Sequence, residues 1–112
     1  MRVYSVWAPI LVNDSEGWIP KAMKRLPDER ITHYWDGNDK LVEEYKPILP
    51  TKRVDSAEYA RAWDVYLLFP PGIEWKDQPP APSYWMHQLW GVDPKNEFDG
   101  ELFAQEVKKL LK

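Results

Sequence analysis

The sequence predicts an α/β fold: one domain over residues 1–112, in the order β-α-β-α-β-β-α, with a central mixed sheet carrying helices on both faces. Three observations lead there. Short runs rich in Val and aromatics alternate with stretches whose apolar residues recur at helical spacing. A helix-length crossover separates the first two strand-like runs, which favours parallel pairing with a right-handed connection. At 112 residues and 44% hydrophobic, the chain is long enough to bury one core without covalent staples.

Arg2 to Trp7, "RVYSVW", reads as the first strand. Ile19, Ala22, Met23 and Leu26 then fall at i, i+3, i+4 and i+7, one face of a helix. Asp14 or Ser15 is placed to cap it, Pro20 lies in or near its first turn, so that the helix either starts just before it or kinks there, and Pro27 stops it. Arg30 to Trp35, "RITHYW", is the second strand, closed by "DGND". Leu41, Val42, Tyr45 and Leu49 mark a second amphipathic helix, with Asp39 near its start and Pro47 and Pro50 near its end. The polar stretch 55–62 suits a short helical turn.

Asp64 to Phe69, "DVYLLF", is the clearest strand in the chain. "PPG" at Pro70–Gly72 turns it, so Ile73-Glu74-Trp75 is expected to return as its antiparallel partner. The proline-rich "KDQPPAP" leads into Ser83–Trp90, "SYWMHQLW", a further short strand or an extended packed segment. Asp99 caps the last helix, Gly100–Leu111. Its apolar side is Leu102, Phe103, Val107, Leu110 and Leu111, and Lys108, Lys109 and Lys112 suit its C-terminal dipole.

Composition excludes several functions. With no cysteine, disulfides, thiolate metal sites and thiol catalysis are all ruled out for this chain. Net charge is −3 with Lys and Arg scattered, so the basic footprint of nucleic-acid binding is missing. No stretch approaches the roughly 18 apolar residues of a membrane span. Met1-Arg2-Val3-Tyr4 enters strand-like sequence without an apolar signal region, and a cytoplasmic location is expected. Seven Trp among sixteen aromatics must lie mostly in the core, because each buries a large area.

"SVWAP" at Ser5–Pro9 resembles the buried strand that ends in Trp-Ala before the Cys-x-x-Cys of thioredoxins. "THYWD", "WDVYLLFPPGIEW" and "PPAPSYWMHQL" are similar to a group of short bacterial thioredoxin-like proteins, loosely related to alkyl hydroperoxide reductase and thiol-specific antioxidant proteins. The resemblance covers nearly the whole chain and implies a thioredoxin-like fold. It does not carry over the chemistry. Pro9 to Ser15 holds no cysteine, and Arg61-Ala62-Trp63 stands where thioredoxins place a cis-proline before the strand. Fold similarity alone supplies no activity.

Under that topology the C-terminal ends of the two parallel strands share one sheet edge with the start of the antiparallel strand. Trp7, Asn13, Asp14, Ser15, Trp35, Asp36, Arg61, Trp63 and Asp64 would gather there. Indole rings with a few carboxylates and one guanidinium make an apolar cleft with polar handles, the usual composition of a ligand site. The candidate ligand-binding set is therefore Trp7, Asp14, Ser15, Trp35, Asp36, Arg61 and Trp63. The plainer reading is that the rings cap the core and the Asp residues cap helices and turns. Paired carboxylates such as Asp14 and Asp36 could do acid/base work, though no spacing demands it.

His33 falls mid-strand between Ile31 and Trp35 on one face, where a histidine is usually a satisfied core residue. His33 and Asp36 fall on opposite faces and no His-x-x-x-His spacing exists, so neither a metal nor a cofactor is expected. Ser15 lacks the Gly-x-Ser-x-Gly setting of a nucleophile elbow. Tyr84, Trp85, His87 and Trp90 form the candidate partner-binding set. If buried they staple a stiff loop, and if exposed they mark a surface for a partner or a second copy. The expected function is binding without redox chemistry, to a small ligand, a protein or a second copy of the chain. The alternative is a non-thiol enzyme using carboxylates at the strand edge.

Overall fold

The computed structural model describes residues 1–8, 17, 19–51, 54, 62 and 64–111, the side chain of Ala22 excepted. Two compact units divide the chain, Met1–Val42 and Glu43–Lys112.

In the first unit, β1 (Val3–Trp7) pairs in parallel with β2 (Ile31–Trp35), Val3 opposite Ile31 and Trp7 opposite Trp35. Both strands alternate between half-buried and exposed positions, so Val3, Ser5, Trp7, Ile31, His33 and Trp35 share the half-buried face. Tyr4, Val6 and Tyr34 lie on the exposed face, where the Tyr4 and Tyr34 rings come within 6.1 Å. The crossover carries α1 (Ile19–Met23). It is shorter than the periodicity predicts, since Leu26 lies in a turn, its N–H donating to Met23 O at 3.1 Å. Before β2, Arg30 forks onto Asp28 at 2.7 and 3.0 Å, and that pair holds the Asp28 carboxyl down at about 2.

α2 (Lys40–Tyr45) begins in the first unit and ends in the second. A tighter turn follows it, with Ile48 N–H and Leu49 N–H both donating to Tyr45 O. Pro47, which has no N–H to give, closes the helix there. Tyr45, Leu49 and Thr51 are buried. The Tyr45 hydroxyl donates to Pro80 O at 3.0 Å, tying the proline-rich connector to this turn, and Trp75 meets the Tyr45 ring edge-on.

The second unit also holds β3 (Val65–Leu68) and β4 (Tyr84–His87), paired antiparallel with Val65 opposite His87 and Leu68 opposite Tyr84. Tyr66, Leu68, Tyr84 and Met86 therefore share a face. Phe98 stacks on Tyr66 with centroids 4.1 Å apart, and Phe103 meets both Tyr66 and Tyr84. Phe103 comes from α3 (Gly100–Leu110), which starts where the sequence places it. Asp99 caps it by accepting from Glu101 N–H and Leu102 N–H. Leu102 and Leu111, expected on its apolar side, are instead exposed.

Two expectations are corrected here. Among the described residues there is no central mixed sheet with helices on both faces, so the thioredoxin-like arrangement is not the one these strands form. The strands form two separate two-stranded sheets, one parallel and one antiparallel. The reason is local closure: α3 and Phe98 give β3–β4 an aromatic cover of its own, and the 96–98 segment bonds along the outer side of β4. Ile73–Trp75 does not return as the partner of β3 either. That place is taken by Tyr84–His87, while Trp75 turns its ring onto Tyr45 and Phe69.

Candidate functional site

The C-terminal end of the parallel pair brings Trp7, His33, Trp35 and Asp36 together. Parallel pairing sets Trp7 beside Trp35, and Asp36 N–H extends the ladder by donating to Trp7 O at 2.7 Å. His33 lies two residues before Trp35 on the same face, within reach of Trp7. The Trp7 Nε1–H donates to His33 Nδ1 at 2.9 Å, with the ring planes only 14° apart. That bond requires a lone pair on Nδ1, so the neutral imidazole carries its proton on Nε2. Two indoles and one imidazole of fixed tautomer result, with Nε2–H as the ring's remaining donor.

Gly37 shapes the same place. A Cβ at that position would stand 2.8 Å from Trp35 Nε1, closer than two such atoms can approach, so the Trp35 indole lies against bare backbone. Only a residue without a side chain permits that close approach.

Asp36 has a different task from the one a cleft carboxylate would have. Its Oδ1 accepts from Lys40 N–H at 3.0 Å and its Oδ2 from Leu41 N–H at 2.8 Å. Both oxygens thus cap the start of α2, whose first N–H groups have no partner inside the helix. Asp39, nearer in sequence, stands at φ 53° and forms the turn between cap and helix. Asn13, Asp14, Ser15, Arg61 and Trp63 lie outside the described residues. The structure therefore brings together Trp7, Trp35 and Asp36 of the expected ligand set.

Among the expected partner residues, Tyr84 and Trp85 are half-buried, and the Trp85 carbonyl accepts from Asn96 Nδ2 at 3.1 Å. His87 is buried, only 1% exposed. Its Nε2 lies 2.8 Å from Asp93 O and its Nδ1 accepts from Leu89 N–H at 3.0 Å. Nδ1 is the acceptor, so Nε2 holds the proton and donates. Trp90 is 82% exposed, placed by the turn at Gly91, φ 74°. The four residues therefore do not form one surface.

The second unit has an open hollow of about 450 Å³ along Glu43 and Lys46–Pro50. Burial, with the Glu44 charge adding to it, pushes the Tyr45 hydroxyl up to about 12. Burial and the charge of Asp64 raise Tyr66 in the same direction. Both are structural phenols: Tyr45 donates to a carbonyl, and Tyr66 donates to Gln88 Oε1 at 2.6 Å. No described helix is long and apolar enough to cross a membrane.

Residue reasoning missed Gly37 and the Trp7–His33 bond. The signal for the bond was present, since positions 7 and 33 fall on the same face once the strands pair in parallel. For Gly37 the only signal was a glycine two residues after a tryptophan. No family model, curated protein or solved structure matches the chain.

Proposed function

We propose that this chain is a binding protein without thiol chemistry, and that the Trp7–His33–Trp35 end of the parallel pair is its ligand contact. The observation that carries this reading is the Trp7 Nε1–H to His33 Nδ1 bond. It orients an imidazole beside two indoles and commits the ring's Nε2–H as a donor. Flat aromatic surface with one fixed donor suits a planar ligand bearing a carboxylate or carbonyl. The absence of cysteine from the chain is in keeping with a role that needs no thiol. A carboxylate enzyme at this edge is disfavoured, since both oxygens of Asp36 are engaged by α2. A cytoplasmic setting belongs to the proposal and rests on the sequence.

The test is a titration of the labelled protein with 2-naphthoate, a planar carboxylate, followed through the indole N–H resonances. The expected result is saturable shifts at Trp7 and Trp35 that His33→Ala reduces at least about tenfold in affinity, the scale of one lost charge-assisted hydrogen bond. Absence of shifts at both indoles, or sustained insulin-disulfide reduction or peroxide consumption by the purified chain, would overturn the proposal.

A further inference from the structure

We infer that the outer edge of β3 is a self-pairing surface, on which a second copy of the chain adds its own β3 antiparallel. The argument starts from the direction of the backbone groups. Gln88 N–H donates to Asp64 O and Ser83 N–H to Leu68 O, both at 2.8 Å, so even-numbered β3 residues turn their polar groups toward β4. In an antiparallel ladder this direction alternates, and Val65 and Leu67 must turn theirs away from β4. The partner strand confirms the alternation: the outward carbonyls of Trp85 and His87 accept from Asn96 Nδ2 and Phe98 N–H. β4 has thus covered its outer side. Among the described residues, no hydrogen bond covers that of β3.

An uncovered edge is normally guarded by lysine, proline, a bulge or an inward charge. Val65–Leu68, "VYLL", holds no lysine, proline or charge, and its length of 4 residues and the flanking Pro70 limit the edge without blocking it. The occupant follows from complementarity. With Val65 opposite Leu67 of the copy, each strand offers two outward N–H and two outward C=O groups to the other, and all are satisfied about a two-fold axis. Tyr66 then faces its own copy, an aromatic pair on one sheet face. Asp64 comes opposite Leu68 rather than its own copy, so the register places no like charges across from each other. The product is a four-stranded antiparallel sheet, and a pair of strands gains independent stability on reaching that size.

The experiment is light scattering across a concentration series, with amide hydrogen exchange read at single residues. The expected result is a mass that rises with concentration from 13.3 kDa toward twice that value. Amides of Val65 and Leu67 should gain protection at least about tenfold in parallel with it, while those of Tyr66 and Leu68 stay constant. Leu67→Pro, which removes one outward N–H, and Val65→Lys, which places a charge on the edge, should each keep the monomer circular dichroism and lose the dimer. If one variant fails to fold, the other and the wild-type exchange pattern still decide. A chain that remains at 13.3 kDa, or a dimer in which the Val65 and Leu67 amides exchange as in the monomer, would overturn the inference.

Discussion

His87 takes the Leu89 N–H on Nδ1 and gives its Nε2–H to the Asp93 carbonyl, which makes the ring at the end of β4 the clasp for the loop that follows. Replacing it with leucine fills similar space and leaves that N–H and that carbonyl without their partners. The expected cost of His87→Leu is about 2 kcal/mol, read as a lower urea midpoint with an unchanged slope. His87 shows what residue type can and cannot disclose. It was expected in a partner-binding set, and it is instead buried. Its two bonds are to backbone groups two and six residues on, and they depend on how the loop turns back, which no spacing rule describes. Trp7 and His33 are the opposite case: their parity on two strands was legible, and parallel pairing alone brought them together.

Among the elements, the last helix was the most legible. Asp99 and the apolar spacing after it place its start, and the structure has the cap at the same residue. α2 was legible in its body and not in its cap. The residue that caps it, Asp36, reaches across four and five positions because a turn with a left-handed residue at Asp39 intervenes. Asp99→Ala and Asp36→Ala should each lower stability by about 1 kcal/mol, measured by chemical denaturation followed through helical circular dichroism. Asp36→Ala should also leave the Trp7 and Trp35 indole resonances in place, since the carboxylate faces the helix. The segments of β1, β2 and β3 could be found from composition, while β4 was legible only as a strand or an extended segment. Their partners could not, because a run such as "VYLL" carries the same alternation whichever strand lies beside it. The proline-rich connector read as a turn and return. It instead runs from Phe69 to Ser83 without a strand, held by Trp75 and by the Tyr45–Pro80 bond.

For the molecule as a whole, two phenols make stability depend on alkaline pH. Tyr45 is raised from 10.0 to about 12 and Tyr66 is raised as well. A phenol whose folded value exceeds its unfolded value holds its proton more firmly in the folded state. Its contribution to stability is complete below pH 10 and is lost as pH rises through the folded value. Unfolding midpoints should therefore change little from this cause up to about pH 10 and fall beyond it, and Tyr45→Phe should flatten that fall. Tyrosinate absorbance in the native protein should lag the same signal in urea. The fold class at this scale was the least legible feature. Helical and strand periods state which segments are regular, whereas one sheet or two depends on which apolar faces find cover nearby. In the second unit Phe98 and Phe103 provide it within about 20 residues of β4.

Gly37 leaves the Trp35 ring resting on main chain, and this has an evolutionary consequence. A surface shaped by side chains can be retuned gradually, one volume at a time. Here the smallest available change, a single methyl group, already collides with the ring. The aromatic end of the first unit is thus insulated from gradual adjustment at position 37: it either keeps its present outline or moves the indole elsewhere in one step.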